Sequence, residues 1–131
     1  WPLTNITMLH WILLVLFPKW KPTMTLSTII PIGYSVLYTL TILSIFPQDD
    51  DDGSSFTSLE GVTNLFKKPS NVFAGWIHYL AFDAFVGRWI VLDSVEHGVS
   101  MLFHFSVVVP CLFFTLMFGP MGLIMYLIAR K

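Results

Sequence analysis

The sequence predicts an all-α polytopic membrane protein with four transmembrane helices, the fourth of them kinked. Three observations lead there. Apolar runs recur at about 3–18, 24–46, 72–92 and 98–129, and the last three reach the ~20 residues that a ~30 Å hydrocarbon core requires. Hydrophobic residues fill 55% of the 131 positions and charged ones only 11%, with a mean hydropathy of +0.72. The polar residues gather between the runs, chiefly in an acidic loop at about 47–70. The chain 1–131 therefore reads as a single integral membrane domain whose immediate partners are lipids. A net charge of −1 leaves no basic footprint for nucleic acid. The single cysteine, Cys111, excludes an internal disulfide and a cysteine-framed metal site.

The first run is short for a span and stops at Pro18-Lys19-Trp20-Lys21-Pro22, lysines beside a tryptophan as a membrane interface favours. The second carries no charge, and its Pro31 and Gly33 are tolerable in a membrane helix. The loop that follows opens with four aspartates at 49–52. An EF-hand count from Asp49 puts Gly53 fifth, where the glycine must be sixth, so a solvated acidic loop is the better reading. Leu59, Val62 and Phe66 then stand at helical spacing, which predicts a short amphipathic segment on the membrane surface. The fourth run, at ~1.5 Å per residue, would be ~48 Å long. Pro110 should kink it, and Gly119-Pro120-Met121-Gly122 is placed to break it near one end. Four spans put both termini and the acidic loop on one side, and the basic residues Lys67, Lys68, Arg130 and Lys131 favour the cytoplasmic or stromal side for it.

The third run holds the chemistry. His78, Asp83 and Arg88 lie inside it, and by insertion scales an Asp or Arg at mid-helix costs roughly 2.5–3.5 kcal/mol. Gaps of five residues set the three about 140° apart around the helix, so each must find its partner elsewhere than on its own helix. Asp83 shares a face with Trp76, Tyr79 and Gly87, and the Tyr79 hydroxyl is one turn from the carboxylate. His78 shares a second face with Phe82, Phe85 and Trp89, an aromatic stripe.

Two kinds of chemistry fit. An acid–base reaction on an apolar substrate would use Asp83 with Tyr79, His78 or Arg88. Alternatively the chain binds pigment: a neutral imidazole ligates a chlorophyll magnesium, and flat aromatic side chains suit polyenes and porphyrins. His10, His78 and His104 are the candidate ligands, with Trp76, Phe82 and Trp89 as aromatic walls. The closest histidines, His97 and His104, are seven apart, ~10 Å along a helix, so no metal-binding histidine box is expected. Asp93, Glu96 and His97 read as a polar turn between helices.

The segments WIHYLAFDAFVGRW (76–89) and PCLFFTLMFGPMGLIMYLIAR (110–130) resemble the abscisic acid-deficient 4 family, small chloroplast membrane proteins implicated in neoxanthin formation. FTSLEGVTNLF (56–66) and Phe17-Pro18-Lys19-Trp20 are similar as well. The resemblance implies a thylakoid or plastid-envelope location and a link to the conversion of violaxanthin to neoxanthin. Two functions follow as expectations. One is a small non-catalytic subunit of a photosystem–light-harvesting antenna supercomplex, pigment-associated, holding chlorophyll and carotenoid and stabilising assembly with other photosynthetic subunits. The alternative is a xanthophyll isomerase with Asp83 and His78 as the acid–base pair, assisted by Tyr79 and Arg88.

Overall fold

The computed structural model describes residues 2–45 and 53–130; the acidic run at 49–52 lies outside them. Helix accounts for 84% of the structure, and among the described residues there is no strand. In order the helices are α1 (Pro2–Leu16), α2 (Lys21–Ile45), α3 (Leu59–Leu65), α4 (Pro69–Glu96), α5 (Met101–Phe103), α6 (Val109–Phe118) and α7 (Pro120–Ala129). A π turn at His104–Val108 joins α5 to α6 in one continuous helix.

Local chemistry sets most of these boundaries. Pro69 and Pro120 stand in the first turns of α4 and α7, where a missing N–H costs nothing. Ser58 and Ser100 cap α3 and α5, their hydroxyls accepting from Gly61 N at 3.0 Å and Phe103 N at 3.2 Å. The π turn ends two residues before Pro110, whose ring would collide with the carbonyl four residues back in a regular α-helix.

Helix α4 is the axis of the bundle. α2 runs antiparallel to it, with Tyr34 packed on Ile77, Leu80 and Ala81. α1 runs parallel to it: His10 Nε2 meets the Ala84 carbonyl at 3.0 Å, and Trp11 lies so close to Gly87 that a Cβ there would be 2.6 Å from its ring. The α5–α6 helix descends antiparallel to α4, with Val108, Cys111 and Leu112 in the same core as Trp11, Leu14 and Ile90.

The fourth apolar run departs from expectation. It is not one kinked span but a helical hairpin. The chain reverses at Gly119 (φ 52°, ψ −105°), and α7 returns alongside α6, with Gly122 seated against Cys111 and Thr115. Tyr126 then donates to Asp93 Oδ2 at 2.6 Å and Arg130 Nη1 to Asp93 Oδ1 at 2.8 Å, so α7 ends beside the C-terminal end of α4. The two ends of the described chain therefore lie at opposite ends of the bundle, not together. By length and composition two helices suffice to cross a membrane, Lys21–Ile45 and Met101–Phe118. α1 is apolar but short, and α4 has the length, 28 residues, but carries Asp83, Arg88 and Asp93.

Candidate functional site

The hairpin tip is where sequence and fold converge on a site. In an α-helix the Leu116 carbonyl would accept from residue 120, but Pro120 has no N–H to give. The Tyr79 hydroxyl of α4 donates to it instead. One turn along α4, Asp83 is only 8% exposed and lies against Gly119: a Cβ at position 119 would come within 3.3 Å of Asp83 Oδ1. The Tyr79 hydroxyl neighbours the same carboxyl. Asp83 Oδ2 is buried and has no hydrogen-bond partner among the described residues. The carboxyl thus sits beside Gly119, at the N-terminal end of α7, with one oxygen uncommitted among the described residues.

The reversal also creates space. The tip reaches only the level of Tyr79 and Asp83, and α4 continues toward Pro69 for ten residues, about 15 Å, beyond Tyr79. Alongside that half of α4 lies a cavity of about 710 Å³, walled by Thr7, Met8, Trp76, Tyr79, Leu116 and Met117. Its lining is almost wholly apolar; Tyr79 and Leu116 belong to it, and Asp83, one turn of α4 beyond Tyr79, does not line it.

The other residues singled out in the sequence fall elsewhere. His78 is exposed on a different face of α4, stacked on Phe82 (centroids 4.6 Å, 28°) and met edge-on by Tyr38 at 5.2 Å. It lines a separate cavity of about 560 Å³ between α2, the segment around α3 and α4. Tyr79 and Asp83 are brought together; Asp83 and His78 are not. Arg88 is on yet another face, half-buried, its Nε without a partner among the described residues. His10 and His104 are enclosed, 0% and 2% exposed, and each spends Nε2 on a backbone carbonyl, Ala84 and Val15 respectively, both at 3.0 Å. They tie α1 to α4 and the α5–α6 helix to α1. Trp76 tilts against Tyr79 at 5.7 Å, half-exposed at the cavity wall. Trp89 packs edge-on to Tyr126 at 6.0 Å and lies 5.8 Å beneath the Arg130 guanidinium, a supporting place. Among the described residues no three His, Cys, Asp or Glu side chains gather to hold a metal ion.

Two contributors escaped sequence reasoning. Leu116 acts through its carbonyl, which no side-chain pattern reveals, although Pro120 four residues on was the signal for it. Gly119 was read as a helix breaker and not as the neighbour of Asp83.

Comparison with known families matches residues 1–126 to the family described as ABA DEFICIENT 4-like. No curated protein and no solved structure matches the chain.

Proposed function

The chain belongs to the ABA DEFICIENT 4-like family, which is related to neoxanthin formation, and from that premise we propose that it is a membrane-embedded xanthophyll isomerase acting through Asp83. The observation that carries this reading is the buried Asp83 carboxyl, one oxygen of which has no partner among the described residues, set one turn of α4 from the Tyr79 that lines an apolar cavity. A long polyene suits such a lining, and its oxygenated end ring is the only part that could answer a carboxyl.

The conversion of violaxanthin to neoxanthin moves protons and breaks one C–O bond, with no net oxidation. Asp83 in its acid form gives its proton to the epoxide oxygen as the bond to the chain-bearing ring carbon breaks. The neighbouring chain carbon loses its proton, and that electron pair becomes the new double bond of the allene. The carboxylate just formed takes that proton, so one group serves as acid and then as base. His78 and Arg88, on other faces, have no part in the step. Tyr79 anchors the hairpin tip and keeps the carboxyl in place.

The membrane arrangement belongs to the same proposal: α1, α2 and α4 cross a plastid membrane, thylakoid or envelope, and the α5–α7 hairpin dips into it from one side. The test is conversion of violaxanthin by the full chain in liposomes. Asp83→Asn is expected to lower turnover by about 10²–10⁴, the usual contribution of a general acid–base group. Turnover within a few-fold of the parent would remove Asp83 from the chemistry.

A second reading is a non-catalytic, pigment-associated subunit of a photosystem–antenna supercomplex. The outer stripe of α2 (Leu26, Ile29, Val36, Leu40 and Leu43), exposed along most of the helix, favours it by offering a broad apolar face to lipid or to another membrane chain. Comigration with photosystem subunits after mild-detergent isolation, together with unchanged xanthophyll turnover in Asp83→Asn, would decide for it.

A further inference from the structure

We propose that His78 is the axial ligand of a magnesium tetrapyrrole lying flat against the outer surface of α4, at a site separate from Asp83. Four histidines are present, and His78 differs from the other two inside apolar helices. His10 and His104 are enclosed and hydrogen-bonded, whereas His78 is exposed and makes no hydrogen bond among the described residues. In an apolar medium an imidazole left so is an unsatisfied polar group, which such a medium penalises. A ligand that accepts a ring nitrogen would relieve that.

The ring is held ready for one. Phe82 stacks on its face at 4.6 Å and Tyr38 abuts its edge at 5.2 Å, so its plane is fixed from two sides. A preorganised ligand loses little rotamer freedom on coordination. The 560 Å³ cavity lies beside the ring, with Ala74 and Gly75, one turn earlier, on its α4 side and Phe66 packed on Gly75. Lys68 and Asn71 line the end of this cavity toward the α3 segment, while Ile42 and Phe66 line its depth. An amphiphile with an apolar body and polar substituents at one edge fits that gradient.

The choice of occupant follows from the ligand count. A bare metal ion would need three or more protein groups, and no such group of His, Cys, Asp or Glu forms among the described residues. A single imidazole matches a metal whose other positions a macrocycle already fills. A polyene without a metal would have no use for the nitrogen.

The test uses the full chain in nanodiscs with chlorophyll a and its magnesium-free form, pheophytin a, as probes. Chlorophyll is expected to bind at about one per chain with an induced circular-dichroism signal, and pheophytin at least about tenfold more weakly, a difference of ~1.4 kcal/mol. His78→Leu should lose the chlorophyll, and Asp83→Asn should keep it. His78→Ala, which leaves a hole, should regain binding when free imidazole is added, a rescue that a folding defect would not allow. Equal uptake of both pigments, or retention of chlorophyll by His78→Leu, would overturn the assignment. Neither result bears on Asp83, whose reaction is read out separately by xanthophyll turnover.

Discussion

Tyr79 and Gly119 show how single residues hold the site. The Tyr79 hydroxyl answers a carbonyl that Pro120 leaves without its helical donor. Tyr79→Phe should therefore cost about 1 kcal/mol, the usual worth of a hydrogen bond of this kind, here part-buried. A lowered unfolding midpoint in detergent, with xanthophyll turnover falling alongside it, would be the sign. A midpoint equal to the parent's would mean that another donor reaches Leu116. Gly119 adopts a positive φ, where an L side chain is strained, and a Cβ would press on Asp83 Oδ1 at 3.3 Å. Gly119→Ala is expected to destabilise by about 1–3 kcal/mol and to disturb Asp83 directly. Turnover should drop further in Gly119→Ala than in an equally destabilised variant remote from the tip; equal losses would separate Gly119 from the reaction. The identities of Asp83 and Tyr79 as candidates were legible in the sequence, because five-residue and four-residue spacings fix their relative faces. The same spacing already set His78 about 140° away from Asp83, and the structure shows that no partner helix closes that gap.

Among the elements, the α6–α7 hairpin depends on a clasp at its far end. Asp93 accepts from Tyr126 and Arg130 at once, and Trp89 lies beneath the guanidinium. The Arg130 pair is partly exposed and contributes little by itself. The Tyr126 bond is part-buried, from a fully enclosed tyrosine, and charge-assisted, worth roughly 1.5–3 kcal/mol. Tyr126→Phe should therefore release α7 more than Arg130→Ala does, seen as faster proteolysis near the C-terminal end of the hairpin. The reverse order would place the strength of the clasp in the ion pair. A freed α7 should also lower turnover, since its first turn is the wall beside Asp83.

For the whole molecule, the hairpin moves Arg130 to the end of the bundle that holds Lys19 and Lys21, where Lys19 Nζ reaches the Val99 carbonyl at 3.3 Å. The end with α3 keeps Lys67 and Lys68. The count of basic residues that favoured the stromal side for the acidic loop thus turns the other way, and the α1–α2 turn is expected there instead. Impermeant maleimide labelling of sealed vesicles should modify Lys21→Cys and Arg130→Cys from one side and Ser58→Cys from the other. Labelling of Arg130→Cys together with Ser58→Cys would restore a fourth span. The helical class and most helix boundaries were set by the sequence alone, because apolar runs, prolines and serine caps act within a turn or two of where they stand. The Gly119-Pro120 pair likewise guaranteed a break, since it removes a helical donor locally. The direction in which the chain left that break was decided by Gly122 against Thr115 and by Tyr126 and Arg130 on Asp93. Those contacts join residues up to 37 positions apart, and a lost hydrogen bond says that a helix ends without saying where the next one points.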